Sequence, residues 1–548
     1  MRDTGSVVSE KRCDRRNWRC AGKKEYSGET DNSTSPASAH ATNPSDGPLL
    51  PAVGDRVRLG TVAGAARSGY VPDLPARQHH KVTFALLAVA GVSYALLQSL
   101  VAPALPDIQH ALHTSVNSVS WVLTAYLLSA SIATPLIGRL GDMHGKERLL
   151  VVVLALLCVG TLVSAVASSL AVMLVGRVVQ GAAGGIFPLA FGIIRDEFPR
   201  ERIAGGIGLM SALLGVGGGA GVVLAGPIVD NLSYHYLFWL PLIPLVAATV
   251  AIHVFVPESP IRVPGRVNWL GALLMSVGLA AVLVAVSEAA VWHWGSRRTL
   301  GLLAVGVVVL AAWVSRELQS AEPLVDMRMM RIRGVWTTNA VALLLGFGMY
   351  SSFILLPELV ETPSRTGYGF SASVTAAGLF LVPSTIAMLV VGAQTGRLER
   401  RFGSKPPLLA GAVVTACSYV LLTFARSERW EIYAAATLLG AGIGLAFAAM
   451  VNLIIENVGP AQTGIATGMN TVTRTVGGAF GGSAVASILA GTVAAGGYPT
   501  AHGYSVAFGV CAVALLLGVV VGLAIPQRQV AAAFAPHEAG DLPETASP

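Results

Sequence analysis

The stretch GRLGDMHGKER at Gly138–Arg148 returns later in the chain as GRLERRFGSK at Gly396–Lys405. Both copies follow an apolar run, and Gly145 and Gly403 stand at the same spacing after the first glycine of their copy. A basic hairpin bracketed by glycines between two bilayer-length segments, present twice, is typical of a transporter built from two related halves. The repeat therefore predicts such a two-part chain.

The composition is that of a membrane protein. Of the 548 residues, 53% are hydrophobic and 12% are charged, whereas soluble domains carry about 25% charged residues. A bilayer core needs roughly 20 apolar residues per helix. Fourteen such runs lie at about 82–105, 117–137, 149–168, 170–194, 204–229, 236–256, 268–290, 299–318, 335–357, 372–391, 407–425, 431–455, 465–490 and 504–525. Because period-two alternation is missing from them, a β-barrel is disfavoured and an all-α membrane protein is predicted.

The basic residues predict the orientation of the chain in the membrane. With the N-terminus in the cytosol, most arginines and lysines of the short loops fall on the cytosolic side, among them Arg139, Lys146, Arg148, Arg397 and Lys405. This excess places both termini in the cytosol. The net charge of +7 therefore reflects topology, and no nucleic-acid partner is expected.

The two ends of the chain are polar. Residues 1–80 contain no apolar core of a signal peptide, so a disordered basic tail is predicted, with a misassigned start codon as the alternative. Residues 528–548 are predicted to form a short cytosolic tail. No cysteine or histidine cluster suggests a metal site. The many arginines, alanines, glycines and valines suggest a GC-rich bacterial genome.

The spacing of the two copies predicts the domain organisation. The first copy follows the second apolar run and the second copy follows the tenth, so eight runs separate them. Two halves of six helices would separate them by six, so two helices lie between the halves. The predicted order is a six-helix bundle at 81–257, a linker with two extra transmembrane helices at 258–334, and a second six-helix bundle at 335–527.

Several further segments carry a family resemblance. They are Ala104–Ile108 (ALPDI), Trp121–Leu128 (WVLTAYLL), Arg177–Gly181 (RVVQG), Glu322–Leu324 (EPL) and Gly468–Gly478, which contains Asn470 and Arg474. With the repeated hairpin, they resemble the major facilitator superfamily, and within it the fourteen-helix drug:proton antiporters of the QacA/EmrB type. The resemblance covers about 81–526 and implies the major facilitator fold.

The first hairpin is predicted to act as a gate. An acid within a basic loop, Asp142, can cap a neighbouring helix N-terminus or pair with Arg148. The resemblance implies that the motif stabilises the outward-facing state, through Gly138, Asp142, Gly145, Lys146 and Arg148. The alternative is that the hairpin only satisfies the positive-inside rule. Because Arg400 aligns with Asp142, the switchable part is expected in the first copy alone.

Two arginines stand in the middle of apolar runs. An arginine at that depth is costly and usually faces a cavity or a partner. Arg177 has Gln180 on nearly the same face, and the resemblance implicates Arg177 in proton coupling. Arg474, one turn after Asn470, is the second. A purely structural role, bonded to backbone carbonyls, is the alternative for Arg177.

Small residues in the fifth run predict tight helix packing. Gly217, Gly221 and Ala225 recur at four-residue spacing. The resembled antiporters have a proline where this chain has Val222, and Pro227 stands later, so a shifted kink is expected. This departure weakens the resemblance to strict antiporters.

Few acidic residues in the apolar runs could carry the proton. The first run has Gln98 where family members often have an aspartate, so a titratable group is missing there. Glu358 and Glu288, near the outer ends of their runs, are the predicted proton-coupling acids together with Arg177. A low dielectric can suit a carboxylate to that role, although simple solvation at the membrane interface is the alternative for Glu358.

The substrate cavity is predicted from aromatic, methionine and amide side chains within the spans, which suit shape-tolerant binding of amphipathic molecules. The residues are Tyr94, Gln98, Trp121, Tyr126, Gln180, Met349, Tyr350, Asn452, Asn470 and Arg474. Because the first run lacks an acid, neutral, zwitterionic or anionic cargo is favoured over cationic cargo.

The combined prediction is a proton-coupled exporter of amphipathic small molecules such as drugs or antibiotics in the bacterial plasma membrane. The chain has no GxxxxGK[ST] segment and no catalytic constellation, so neither an ATP-driven pump nor an enzyme is expected. No cofactor is expected, with the proton gradient as energy source, and a monomer in the lipid bilayer is predicted. The alternatives are a dedicated exporter of an endogenous metabolite or lipid, and a non-transporting sensor or scaffold.

Overall fold

The computed structural model describes residues 80–256, 258, 265–494 and 497–526. The predicted tails, apart from residue 80, lie outside the described residues. Within the described part no β-strand forms, and one isolated antiparallel bridge joins Val493 and Pro499. The prediction of an all-α chain is confirmed.

Fourteen long helices follow one another along the described chain. They are α1 (His80–Ser99), α2 (Val116–His144), α3 (Lys146–Ala165), α4 (Leu170–Glu197), α5 (Arg200–Asn231), α6 (Tyr236–Phe255), α7 (Trp269–Ser287), α8 (Arg297–Gln319), α9 (Arg333–Glu361), α10 (Val374–Phe402), α11 (Lys405–Phe424), α12 (Arg429–Asn457), α13 (Thr463–Ala490) and α14 (Ala501–Leu523). Thirteen of them are long and apolar enough to cross a membrane. The other, α13, spans 28 residues but is rich in Gly and Thr and contains Asn470 and Arg474.

The helix boundaries correct two expectations. The basic repeat is not a hairpin loop, because α2 continues to His144 and α3 begins at Lys146, with Gly145 alone between them. Gly145 and Gly403 have φ of +109° and +77°, a region that favours glycine. The first apolar run also ends early, at Ser99, and Leu105–Ala111 forms a separate short helix with its proline in the first turn.

The two six-helix halves meet along two helix pairs. Helix α2 packs against α13, and α5 packs against α10. The inserted helices α7 and α8 pack against each other, and α7 also lies against α2 and α13. At the end of this pair, the indole nitrogen of Trp294 donates to the hydroxyl of Ser487 at 2.9 Å. The inserted pair thus lies beside the seam formed by α2 and α13.

Helix α5 has glycines on two faces. A Cβ on Gly217 would lie 2.5 Å from Ala95 Cβ, and one on Gly221 would lie 2.0 Å from Ser99 Oγ, so this face touches α1. A Cβ on Gly219 would lie 1.7 Å from Thr385 Oγ1 of α10. Small residues therefore let α5 approach both a helix of its own half and a helix of the other half. Ala225 is buried, and Pro227 lies in the last turns of a helix that continues to Asn231.

Candidate functional site

Asp142 connects the two halves at the predicted cytosolic side. Its side chain is buried, and its two oxygens accept hydrogen bonds from the backbone N–H groups of Gly464 (3.2 Å) and Ile465 (3.1 Å). Both donors belong to the first turn of α13, where backbone N–H groups have no partner within the helix. The carboxylate also faces the positive end of the helix dipole. Asp142 therefore caps a helix of the opposite half, one of its two predicted roles.

The backbones of the halves touch beside this cap. A Cβ on Gly138 would lie 2.5 Å from the carbonyl oxygen of Gly464, and a Cβ on Gly464 would lie 2.6 Å from that of Gly138. Neither position has room for a side chain. We call the region formed by Gly138, Asp142, Gly464 and Arg195, where the sequence predicts a gate, the cytosolic gate.

Arg195, at the end of α4, completes the cytosolic gate. Its guanidinium donates to three oxygens around the end of α12 and the start of α13: Val458 O (2.9 Å), Gly459 O (3.3 Å) and Thr463 Oγ1 (2.6 Å). A cation near a helix C-terminus is stabilised by the helix dipole. Arg195 is not among the site residues predicted from the sequence, because its partners lie more than 260 positions away.

The other residues of the first motif have different partners. Lys146 forms a buried ion pair with Asp196 of α4. Arg148 is exposed and pairs with Glu258 at 2.8 Å. The alternative pairing of Asp142 with Arg148 is therefore not the one the structure shows. Gly145 provides the sharp turn between α2 and α3.

The second copy of the repeat contains a buried acid that the alignment missed. Glu399, one position before Arg400, accepts a hydrogen bond from Asn452 Nδ2 at 2.6 Å, and its Oε1 has no partner. Arg400 itself donates to the carbonyl oxygen of Glu201 at 3.4 Å. A Cβ on Gly396 would lie 2.6 Å from the Cα of Gly205 on α5. The second copy therefore also contacts the opposite half, and the expectation that only the first copy switches stays a prediction.

Asn452 does not belong to the predicted cavity. It lies near the inner end of α12, where its amide bonds Glu399 and approaches the carbonyl oxygen of Ala204 at 3.5 Å. A single polar residue in an apolar run looks the same in the sequence whether it lies in the middle of the membrane or near its inner surface. The sequence therefore did not distinguish a cavity residue from one near the cytosolic end of the helix.

Arg177 is fully buried in the first half. The side chain donates to three acceptors: Val122 O (3.0 Å), Leu97 O (3.4 Å) and Gln180 Oε1 (2.7 Å). Its Cζ lies 4.3 Å from the centre of the Tyr126 ring, which gives a cation–π contact. The remaining nitrogen, Nη2, has no hydrogen-bond partner. Gln180 in turn donates to Thr161 Oγ1 at 3.0 Å.

Arg474 is the buried arginine of the second half, with 5% of its surface exposed. Its Cζ lies 4.0 Å from the centre of the Phe447 ring. Its Nε has no hydrogen-bond partner. Asn470, one turn earlier, donates to Asn339 Oδ1 at 2.8 Å. Arg474 thus rests on an aromatic ring.

Further aromatic side chains pack beside the Tyr126 ring that contacts Arg177. The Tyr94 ring packs against Tyr126 (6.3 Å between centroids) and Phe187 (5.9 Å). The other predicted cavity residues are half-buried: Gln98, Trp121, Met349 and Tyr350. Tyr350 packs on Gly478, where a Cβ would lie 2.4 Å from its ring.

The predicted proton-coupling acids lie apart from the arginines. Glu358 is half-buried near the outer end of α9, where its ionisable neighbours are Glu361 and Tyr504. Glu288 is half-buried just after α7. Among the described residues, neither Arg177 nor Arg474 forms an ion pair, and each lies over an aromatic ring. Nor does that part of the chain contain three His, Cys, Asp or Glu side chains grouped to hold a metal.

Comparisons with known proteins agree with this architecture. The sequence profile of the Major Facilitator Superfamily matches residues 87–482 and 340–545. The chain is 28% identical over 420 residues to the tetracenomycin C resistance and export protein of Streptomyces glaucescens, which covers 75% of this chain and 76% of the relative.

Two further relatives are named for multidrug transport or multidrug resistance. The multidrug transporter protein MdtP of Bacillus subtilis is 25% identical over 74% of each chain. The multidrug resistance protein Stp of Mycobacterium tuberculosis is 26% identical over 72% of each chain. Among solved structures, the human organic anion transporter MFSD10 (TETRAN) superposes with a TM-score of 0.57, covering 82% of this chain and 100% of its own. At 16% identity, this last likeness concerns the fold alone.

Proposed function

Because the chain belongs to the major facilitator superfamily, we propose that it is a proton-coupled exporter of amphipathic small molecules in the bacterial plasma membrane. Family membership makes it a multi-pass membrane transporter and not an enzyme. Export, proton antiport and the cargo class are the proposed parts.

One observation carries the proposal, namely the capping of α13 by Asp142 across the two halves. Alternating access requires contacts that form in one state and break in another. The gate is built from polar groups that water could satisfy once the halves separate, so it can open without leaving buried groups unpaired. Asp142 and Arg195 engage opposite ends of neighbouring helices, which lets a single movement of α12 and α13 release both.

The direction of transport is supported by the relatives. Three of them are named for resistance, multidrug transport or export. The proposed cavity lies between the halves, around the aromatic side chains beside Arg177 and Arg474. Rings and half-buried methionine there suit cargo with an apolar body.

Proton coupling is proposed to involve Arg177 and the acids Glu358 and Glu288. The acids lie near the outer ends of α9 and α7, where protons arriving from outside the cell would first meet the protein. They carry no ion pair among the described residues, so protonation would not have to break one.

The test is transport by inverted membrane vesicles with an imposed proton gradient and a panel of cationic, neutral and anionic fluorescent amphipaths. We expect gradient-dependent uptake that a protonophore abolishes. Asp142→Asn, at normal abundance, should lower the initial rate about tenfold, because a charge-assisted hydrogen bond contributes roughly 1.5–3 kcal/mol. Asp107→Asn, in an exposed short helix, is the matched control and should leave the rate unchanged.

Three outcomes contradict parts of the proposal. Unchanged transport by Asp142→Asn would refute the gating role. Uptake that ignores the protonophore would refute antiport. Movement of no cargo at all would favour a membrane sensor or scaffold instead.

A second candidate is a dedicated exporter of one metabolite. It is favoured by the relative named for export of a single compound, tetracenomycin C. The cargo panel separates the two candidates, because a dedicated exporter should move none of several unrelated amphipaths that a multidrug exporter moves.

A further inference from the structure

Trp294 connects the inserted helix pair to the outer part of α13. The residue lies in the connection between α7 and α8, which the predicted topology places outside the cell. Its indole nitrogen donates to Ser487 Oγ at 2.9 Å, and its ring stacks on Phe480 with 6.2 Å between centroids and 25° between planes. We call Trp294, Phe480 and Ser487 the outer contact.

The backbone just before Trp294 has an unusual conformation. His293 has a φ of +66°, a region that residues other than glycine rarely adopt. Its carbonyl oxygen accepts hydrogen bonds from the backbone N–H of Ser296 (3.1 Å) and from Thr299 Oγ1 (3.0 Å), and the Ser296 side chain caps α8. Such a conformation persists where the surrounding contacts fix it. The indole of Trp294 is therefore presented by a well-defined turn.

The outer contact lies on a face of α13 that is turned away from α2. Towards α2, the helix presents Gly464 and Gly468, where a Cβ would meet carbonyl oxygens of α2 at 2.6 and 3.2 Å. At 3.6 residues per turn, Phe480 stands about 120–160° around the helix from these two glycines, and Ser487 lies within about 20° of Phe480. A displacement of the outer end of α13 towards α2 would therefore separate it from Trp294.

The outer contact and the cytosolic gate share one continuous helix. Helix α13 is unbroken over 28 residues and contains no proline. The gate uses the N–H groups of its first turn, and Phe480 lies about 22–24 Å beyond them at a rise of 1.5 Å per residue. A helix that tilts between the halves moves its two ends in opposite directions. When its inner end leaves Asp142 and α2, its outer end approaches α2 and leaves Trp294.

The support for Trp294 does not belong to α13 alone. Helix α7 packs against α2 of the first half as well as against α13. Leu136 of α2 packs against the same buried cluster as Met275 and Leu279 of α7. A tilt of α13 relative to α2 therefore also changes its position relative to the inserted pair.

We infer that Trp294 is a positioning residue that stabilises the state in which the cytosolic gate is closed. It keeps the outer half of α13 away from α2, and the outer contact breaks when the gate opens. This inference rests on the alternating access of the proposed function and gives the inserted helix pair a role in it. One hydrogen bond between neutral groups and one ring stack are enough to shift a balance between two states several-fold.

The experiment is hydrogen–deuterium exchange on the purified full-length protein without cargo. Trp294→Leu should raise exchange of the gate amides at 463–468 about tenfold, as the loss of one hydrogen bond and one ring stack implies. Ser487→Ala should raise it less, because the stack on Phe480 remains. Trp269→Leu, at a tryptophan of α7 that is 70% exposed, is the matched control and should leave exchange unchanged.

The double variant tests whether the two side chains act through their shared hydrogen bond. Trp294→Leu already removes the donor, so Trp294→Leu/Ser487→Ala should raise exchange at 463–468 no further than Trp294→Leu does. Additive effects of the two substitutions would overturn the role of this hydrogen bond in the outer contact.

A covalent link tests the inference without weakening a contact. Trp294→Cys/Ser487→Cys, joined by a short bis-methanethiosulfonate linker, should keep the gate closed. Exchange at 463–468 should then fall below that of the unlinked variant. Transport in inverted vesicles, with any amphipath that the unmodified protein moves, should drop at least tenfold. Reduction of the linker should restore both, and each single-cysteine variant treated with the same reagent is the control.

The outcomes distinguish this inference from the proposed function. Unchanged exchange at 463–468 in Trp294→Leu would overturn the inference. An equal rise of exchange in all helices, with a lower Tm, would overturn it as well, because Trp294 would then act on the stability of the whole fold. Linked protein that transports at the unlinked rate would overturn the inference and leave the exporter intact. The expected exchange pattern without any proton-driven transport would support the inference and refute the exporter.

Discussion

The α-carbons of Gly138 and Gly464 lie in helices of opposite halves, and each glycine would drive a Cβ to within 2.6 Å of the other's carbonyl oxygen. The tightest point of the cytosolic gate is therefore a contact between two backbones. The same approach places the carboxylate of Asp142 on the first amides of α13, where a Cβ on Gly464 would lie 3.0 and 3.1 Å from its two oxygens.

Gly138→Ala should hold the gate open. The added methyl group overlaps a backbone oxygen that cannot move away alone, and overpacking of this kind costs about 1–3 kcal/mol. We expect faster hydrogen–deuterium exchange of the amides at 463–468, which are protected only while the gate is closed. Gly218→Ala is the matched control, because a Cβ there meets nothing within 4 Å. Unchanged exchange in Gly138→Ala would mean that the gate contact is not populated.

Arg195→Gln should weaken the same closed state by about 2 kcal/mol, because up to three charge-assisted hydrogen bonds to the α12–α13 connection are lost. Exchange at 458–465 should rise more than tenfold, and the rest of the protein should keep its protection. Arg397→Gln, an exposed arginine of the second copy, should change neither. If both substitutions raised exchange equally, the cause would be the loss of one positive charge and not the loss of the Arg195 hydrogen bonds.

Lys146 and Arg148 stand two positions apart in one motif, yet their replacement should have very different consequences. Lys146→Ala leaves Asp196 as a buried acid without this cation, a change that typically costs about 3–5 kcal/mol. Arg148→Ala breaks an ion pair with an arginine that is 70% exposed, which contributes about 0–1 kcal/mol. Thermal unfolding monitored by intrinsic fluorescence should show a large drop in Tm for the first variant and almost none for the second. Similar drops in both would contradict the burial of the Lys146 pair.

Glu399→Gln should not destabilise the protein. The carboxylate has one oxygen without a partner in a buried site, and an amide keeps the oxygen that accepts from Asn452 while removing the buried charge. We expect a Tm equal to or above that of the unmodified protein. Glu399→Ala should lower the Tm, because it leaves the Asn452 amide without its closest acceptor. A lower Tm for Glu399→Gln would mean that the charge itself is needed at this position.

The helices could be predicted from the sequence, but the contacts between the two halves could not. Apolar runs of bilayer length located all fourteen helices to within a few residues, apart from the ends of α1, α2 and α10. The last turns of α2 and α10 were missed, because a helix that leaves the membrane stays helical through polar residues until a glycine such as Gly145 turns it. The partners of Asp142 lie 322 and 323 positions away, and no local pattern encodes such a separation.

For the site residues too, the sequence identified unusual positions but not the partners they contact. Mid-helix position identified Arg177 and Arg474 as unusual, since charge at that depth is rare whatever its partners. Glu399 was missed because strict alignment compared Arg400 with Asp142, although the second copy places its acid one position earlier. Asn452 was assigned to the wrong depth, and its distance from the inner end of α12 was the signal that could have corrected this.

The hydrogen bonds of Arg177 have a mechanical consequence. Through Leu97, Val122 and Gln180, with Thr161 beyond it, one side chain connects α1, α2 and α4 directly and α3 by one further step. Four helices of the first half are thereby braced at a single depth. We therefore expect the first half to resist deformation at this level, and relative movement of the two halves to occur at the glycine contacts of α2 with α13 and of α5 with α10.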